Sequence, residues 1–388
     1  MPLTLDTYRL LGRSGLRVSP LALGAATFGT EWGWGAGKEE ARALFDHYVE
    51  RGGNFVDTAN TYTDGSSERL LGEFAHGRRE SLVLATKYTT LRRPGDPNSG
   101  GGHRKSLFAS VEASLRRLRT DYLDLLHLHV WDPATPVEEI LRGLDDLVRQ
   151  GKILYAGISN SPAWQVSRLQ AIADLRGWTP LVALQIEYNL IERTGERDLI
   201  PMAREMGLGV LPYSPLAGGL LTGKYSRADL AGAPAGRPAG DAAGAGRSAA
   251  DGGGADGAGA GGGAATTEPA PGDGTRRNFN LALGTLTERN LSVADAVREV
   301  AAELGRTPAQ VGLAWTLRNP AVTAPVVGAR TPAQLADNLG ALDVDFHPSQ
   351  LARLDAASAF DLGYPHAMLA SEHIRKVTAG DLKTEARR

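Results

Sequence analysis

There is no cysteine in the 388-residue chain, which excludes a disulfide framework, a thiol nucleophile and any cysteine-ligated zinc or iron–sulfur centre. Neither sign of charge dominates. Lys and Arg number 42 against 44 Asp and Glu, a net charge of −2, so the basic footprint of a nucleic-acid binder is missing. No run approaches the roughly 18–20 consecutive apolar residues of a membrane span. The opening MPLTLDTYRL lacks the basic region and apolar core of a secretory signal. These absences predict a cytoplasmic globular protein with neither nucleic acid nor membrane as a partner.

Between Leu230 and Phe279 even apolar side chains are missing: there is no Val, Ile, Leu, Met, Phe, Trp or Tyr, and Ala and Gly predominate. Nothing in this stretch offsets the entropy of ordering it, so a low-complexity disordered insert is expected over 228–275. Long loops cost little extra to close, which favours a tolerated surface expansion over a functional lid. Without it about 340 residues remain, the size of one large barrel domain.

What is present alternates strictly. Eight β-branched or apolar runs (LALGAATFG, NFVDTAN, LVLATKY, YLDLLHLH, ILYAGISN, LVALQIEYN, GVLPYSPL and VTAPVVGA) are separated by amphipathic stretches such as RKSLFASVEASLRRLR. In that stretch Leu107, Val111, Leu115 and Leu118 form one helical stripe. Several helical stretches stop at glycine, at Gly52, Gly151, Gly207 and Gly305, as a C-cap requires. Eight strand–helix units close a parallel (β/α)8 TIM barrel, an α/β fold. A doubly wound open sheet would need G-x-G-x-x-G after its first strand, and LGAATFGTEWGWGAG lacks it. YRLLGRSGLRVSP reads as an N-terminal β-hairpin covering the barrel bottom. The expected organisation is a single barrel domain over 1–388, interrupted by the insert and ending in a C-terminal tail over 362–388.

In such a barrel the chemistry gathers at the C-terminal ends of the strands. There the sequence places Asp57, Tyr62, Lys87, His129, Ser159, Asn160, Gln185, Tyr213, Ser214 and the run Gly328 to Arg330. Charged side chains in those positions must be paired or functional. A tyrosine titrates near 10 and is a poor acid at neutrality. A neighbouring lysine ammonium is expected to lower that value, with an aspartate holding the lysine charged. A neutral histidine can donate a hydrogen bond to a carbonyl oxygen. Together these groups protonate an alkoxide as it develops from a carbonyl accepting hydride, which implies a nicotinamide cofactor.

The motifs FVDTANTY, LATKY, DLLHLH, GISN, LQIEYNL, PYSPLAGGLLTGKY and VVGARTPAQLADNL, in this order, resemble the aldo-keto reductase superfamily. They look most like its bacterial branch, similar to aryl-alcohol dehydrogenases and the potassium-channel β subunits. The likeness spans the chain except the insert and the tail. It implies Tyr62 as general acid, Lys87 as its partner, Asp57 fixing Lys87, His129 orienting the carbonyl, and no metal. Ser159, Asn160 and Gln185 would hydrogen-bond the nicotinamide carboxamide, with Tyr213 stacked on the ring. The loop bearing Ser214, Leu216, Gly218 and Leu220 would cover the pyrophosphate. Gly328, Arg330, Gln334 and Asn338 would hold the adenosine half. A helix N-terminus suits phosphate, and Arg330 suits a 2′-phosphate, so NADPH/NADP+ is expected over NADH.

Of the two histidines in DLLHLH, the resemblance selects His129. His127 lies one pleat deeper and reads as a packed core residue; a metal site needs more ligands than this pair. Phe28, Trp32, Tyr88 and Trp131 follow strands and are expected to wall an apolar substrate pocket. The substrate would then be a small apolar or aromatic aldehyde or ketone, reduced reversibly to the alcohol. The alternative is a non-catalytic, cofactor-sensing subunit similar to the channel β subunits; the four filled positions weigh for the enzyme. The sequence sets neither the oligomeric state nor the physiological substrate.

Overall fold

A computed structural model describes residues 3–230, 280, 284–380 and 382. An antiparallel pair, β1 (Arg9–Leu10) and β2 (Arg17–Val18), comes first. Eight parallel strands follow: β3 (Ala22–Gly24), β4 (Phe55–Asp57), β5 (Val83–Tyr88), β6 (Leu123–Leu128), β7 (Ile153–Ser159), β8 (Leu181–Glu187), β9 (Gly209–Tyr213) and β10 (Val326–Val327). Their order is β10-β3-β4-β5-β6-β7-β8-β9. The remaining seam between β9 and the approach to β10 is joined by Val210 N donating to Ala321 O (3.1 Å) and Thr323 N to Val210 O (2.8 Å). The expected (β/α)8 barrel is the observed architecture.

Helices α1 (Lys38–Glu50), α2 (Ser66–Phe74), α3 (Arg104–Leu118), α4 (Val137–Arg149), α5 (Ala163–Arg176) and α6 (Leu199–Met206) alternate with the strands. After the insert come α7 (Glu288–Leu304), α8 (Pro308–Leu317), α9 (Pro332–Leu339) and α10 (Pro348–Ala357), with α11 (His366–Leu369) and α12 (Glu372–Ala379) in the tail. Helices α1 to α10 bury side chains against the core, whereas the two tail helices bury none. In α4 the core-facing side chains are Val137, Ile140, Leu141, Leu144 and Leu147, all buried. Local chemistry sets the ends. Thr307 and Gln310 form a reciprocal capping box at α8, and α5, α6 and α7 stop at Gly177, Gly207 and Gly305 in left-handed conformation.

The interior of the barrel has two storeys. Below, Phe55, Val83, Leu125, Ala183 and Leu211 pack with Leu11 and Val18 of the hairpin. The hairpin is a fitted plug: Arg13 N donates to Gly207 O at 2.8 Å. Gly12 has φ +54°, and a Cβ there would lie 2.3 Å from Val182 O. Above this apolar storey, register aligns Lys87 with His127, His127 with Gly157, and Ser159 with Gln185.

The first and last barrel strands are shorter than their apolar runs. Pro325 has no N–H to give, and its carbonyl accepts from Ala22 before the two-residue β10 begins. Residues 228–230 of the expected insert lie in a 3-10 turn, Arg227–Leu230, whose Arg227 pairs with Glu288 and Asp295. The rest of that stretch, 231–275, lies outside the described residues. In the tail Tyr364, Met368, Leu369, Val377 and Leu382 are exposed. No described helix is long and apolar enough to cross a membrane.

Candidate active site

Strands β4, β5 and β8 bring Asp57, Lys87 and Gln185 together above the apolar storey. The Lys87 ammonium is fully buried and donates to Asp57 Oδ1 (2.5 Å), Thr58 O (2.7 Å) and the Tyr62 hydroxyl (3.4 Å). Gln185 Nε2 donates to the other Asp57 oxygen at 2.9 Å. A buried charge pair of this kind persists only when its remaining hydrogen-bonding capacity is met, as it is here. Burial alone would lower the Lys87 pKa, but Asp57 and Tyr62 outweigh it and raise it, so the ammonium is firmly charged. Tyr62 responds in the other direction from expectation. Burial is the larger influence and raises its pKa, while Lys87 pulls downward without prevailing. In the free protein Tyr62 is therefore a protonated donor beside a fixed cation.

The loop that delivers Tyr62 is held in an unusual shape. Thr63 and Asp64, next in sequence, both have positive φ (46° and 54°), a conformation that side-chain-bearing residues adopt at a cost. Buried hydroxyl contacts impose it. Thr63 Oγ1 donates to Phe28 O (2.7 Å) and accepts from Ser67 N (3.1 Å), and Ser67 Oγ donates to Ala25 O (2.7 Å). Behind the loop the buried Glu68 carboxylate accepts from Thr86 Oγ1 and Arg117 Nε, both at 2.6 Å. Arg117 also donates to Asn60 O at 3.4 Å. Thr63, Ser67, Glu68 and Arg117 are supporting residues that sequence reading missed, because their partners come from other units of the barrel.

His129, just past β6, faces the Tyr62 ring edge-on, with centroids 5.9 Å apart. Burial, then Lys87 and His127, hold its pKa well below the ordinary histidine value, so the ring is neutral. Its Nδ1 is sealed in the interior without a hydrogen-bond partner. His127 is fully buried with both ring nitrogens unpartnered, and burial with Lys87 nearby lowers its pKa to about 3. Its position in the barrel interior matches the packed histidine expected there. Among the described residues no three His, Asp or Glu side chains cluster as a metal site would require.

The fit of a nicotinamide dinucleotide can be tested on the neighbouring side chains. Ser159 Oγ is buried without a partner, which suits a hydrogen-bonding carboxamide. Asn160 is already committed: its Nδ2 donates to His129 O (3.0 Å) and its Oδ1 accepts from the Tyr213 hydroxyl (2.9 Å). Gln185 gives one amide N–H to Asp57 and keeps its carbonyl oxygen. Past β9 the chain turns left-handed at Ser214, Ala217, Gly218 and Gly219. Successive turns of this kind aim backbone N–H groups into a concavity, as an anion site needs. A Cβ on Gly219 would lie 2.8 Å from Lys224 Nζ, so an ammonium overhangs the same loop. Leu216 and Leu220 anchor the loop in the apolar core. Asn280, beyond the insert, is buried beneath it and donates to Gly218 O and the Tyr225 hydroxyl. Neither Lys224 nor Asn280 stood out in the sequence. At the N-terminus of α9 Gly328 and Arg330 are exposed, Arg330 N donates to Gln334 Oε1 (3.0 Å), and Thr331 caps the helix. Asn338 on the same helix is buried. The residue set fits the cofactor.

The expected aromatic wall is only partly assembled. Trp32 stands edge-on to Tyr62 at 6.0 Å and tilts against Trp34 at 5.6 Å. Tyr88 does not join them. Side chains alternate along β5, so Lys87 points into the barrel and Tyr88 points out, fully buried against the helical layer with its hydroxyl on Gly102 O (3.3 Å). Phe28 is likewise buried, packed on Phe74 at 6.2 Å, because a bridge to Ala36 folds its segment back. Trp131 is half-buried against the same outer core. A surface cavity of about 420 Å³ lies between the loops after β5 and β6, but its lining includes His103, Asp132 and Glu139 rather than these aromatics.

The family described as "Aldo/keto reductase family" matches residues 20–359. The chain is 36% identical over 379 residues to norsolorinic acid reductase stcV of Emericella nidulans, covering 95% of this chain and 86% of that protein. It is 34% identical over 383 residues to an aryl-alcohol dehydrogenase [NADP(+)] of Phanerodontia chrysosporium, covering 95% and 90%. It is 32% identical over 384 residues to the putative aryl-alcohol dehydrogenase AAD14 of Saccharomyces cerevisiae, covering 96% and 92%. These relatives are fungal, and the bacterial branch expected from the motifs finds no support in them.

Proposed function

The chain belongs to the aldo/keto reductase family, and from that membership we propose that it reduces aldehydes or ketones with NADPH, Tyr62 serving as the proton donor. The observation that carries this reading is the buried Asp57–Lys87–Tyr62 chain of contacts. His129 in its neutral form donates a ring N–H to the carbonyl oxygen and orients it beside the Tyr62 hydroxyl. As negative charge develops on that oxygen, Tyr62 releases its proton to it, and the Lys87 ammonium 3.4 Å away stabilises the phenolate that remains. Asp57, held by Gln185, keeps Lys87 charged and in place. NADPH, when bound, supplies the hydride that the carbonyl carbon accepts. Ser159 and the free carbonyl of Gln185 would hold its carboxamide, Tyr213 would stack on its ring, and the loop 214–224 would take its pyrophosphate. Gly328, Arg330, Gln334 and Asn338 would meet the adenosine half, with the exposed Arg330 favouring a 2′-phosphate.

The substrate class proposed is small, apolar and aromatic. Trp32 edges the Tyr62 ring, and similar proteins carry names that specify aryl alcohols and norsolorinic acid. The test is consumption of NADPH, followed by its nicotinamide absorbance, with matched panels of aromatic and aliphatic aldehydes. Turnover favouring the aromatic panel is the expected result. Tight NADPH binding with no turnover of any carbonyl would instead indicate a cofactor-sensing protein.

A further inference from the structure

Most buried polar atoms without partners lie on the helical layer, but one group gathers among the barrel strands. Four of them, His127 Nδ1, His127 Nε2, His129 Nδ1 and Ser159 Oγ, belong to three residues on β6 and β7 or their immediate ends. His127 is aligned with Gly157 across the two strands. His129 and Ser159 stand two residues further on, on the same faces, about 6.6 Å higher at the usual strand rise. Gly157 makes room for the His127 ring itself: a Cβ there would lie 2.5 Å from His127 Cδ2 and 2.8 Å from its Nε2. Lys87 cannot serve His127, since its three protons go to Asp57, Thr58 and Tyr62.

A neutral histidine has one ring proton, and the partner of one nitrogen decides where that proton sits. For His129 to donate from Nε2 to a carbonyl oxygen, its Nδ1 must be an acceptor and needs a donor in the dry interior. Nothing on β4, β5 or β8 supplies one. We propose that His127 is a positioning residue for His129: one buried water, shared by the unpartnered atoms of His127, Ser159 and His129 Nδ1, donates to Nδ1 and fixes the Nε2–H tautomer. Three protein partners are the usual complement of a buried water. This inference rests on the reductase reading for its purpose, and its test does not depend on turnover.

The experiment is long-range proton–nitrogen NMR of the full-length, cofactor-free protein labelled with 15N-histidine, comparing wild type with His127→Leu, His127→Gln and Gly157→Ala. Wild type is expected to hold His129 in a single Nε2–H form. His127→Leu is expected to move part of the population to Nδ1–H and to lower kcat roughly 10–100-fold, by analogy with the loss of a group that orients a metal-bound histidine, with NADPH affinity unchanged. His127→Gln retains an N–H donor and restores both readouts. Gly157→Ala puts a Cβ where the His127 ring lies, displaces that ring and reproduces the shift even if His127→Leu does not fold. An unchanged His129 tautomer in His127→Leu, or in Gly157→Ala should that be the variant that folds, overturns the proposal. A fully active His129→Leu would instead overturn the carbonyl-orienting role of His129, while the spectra still decide whether His127 sets its tautomer.

Discussion

Two sides of one barrel mouth treat buried polarity differently. On β4, β5 and β8, Asp57, Lys87 and the Gln185 amide nitrogen bond to one another and leave neither charged group unpartnered. On β6 and β7, under the same burial, His127, His129 and Ser159 hold buried atoms with no partner. A saturated network is rigid and keeps a charge in place; an unsaturated one is a set of binding positions. In the proposed reading the difference separates the side that would position the proton donor from the side that would receive most of the ligand contacts. At the proposed adenosine end the contrast is one of exposure: Arg330 is exposed and, among the described residues, its guanidinium has no hydrogen bond or ion pair.

The strongest way to break this contrast is Lys87→Met, which leaves Asp57 as an unpaired buried carboxylate. It should cost about 3–5 kcal/mol of stability and abolish carbonyl reduction; denaturant unfolding and NADPH consumption read the two effects. A variant as stable as wild type would mean the pair is not the rigid element described. A smaller effect belongs to Arg330→Ala, which should weaken NADPH binding about tenfold, the equivalent of one charge-assisted contact at the surface, and leave NADH binding unchanged. Equal loss for both cofactors would remove the 2′-phosphate from the argument. The pH profile of kcat/KM sharpens the contrast with the least perturbation. Tyr62 acts protonated, so its contribution is present below its pKa and lost as pH rises through it. That pKa is raised above 10.0, so the loss lies above about pH 10. His129 acts neutral, with its pKa well below 6.5, so its acid limb falls below pH 6.5. An inflection near 6.5 would contradict a neutral His129.

Much of this was legible in the chain. The alternation of apolar runs and amphipathic stretches specified the barrel, and reading strand ends found Asp57, Lys87 and His129. Tyr88 shows where the reading slipped: adjacent residues on a strand face opposite ways, so a Lys87 inside already placed Tyr88 outside. Phe28 was less accessible, since only the fold-back to Ala36 buries it. The Glu68–Arg117 pair, 49 residues apart, and Asn280 beneath Gly218, 62 residues away, are contacts between distant units. Local pattern carries no signal for such contacts. The direction of the Tyr62 pKa is not legible in the chain for a related reason. Its charge partners are visible in sequence, but the burial that outweighs them is not.

The most direct test of the proton-donor side is kcat for an aromatic aldehyde in Tyr62→Phe, measured with the NADPH dissociation constant of the same preparation. The account predicts kcat lower by about 10²–10⁴-fold, the usual contribution of a positioned acid, with NADPH affinity unchanged. Retained turnover in that variant would contradict it, because the saturated side of the barrel would then be positioning a group the reaction does not use.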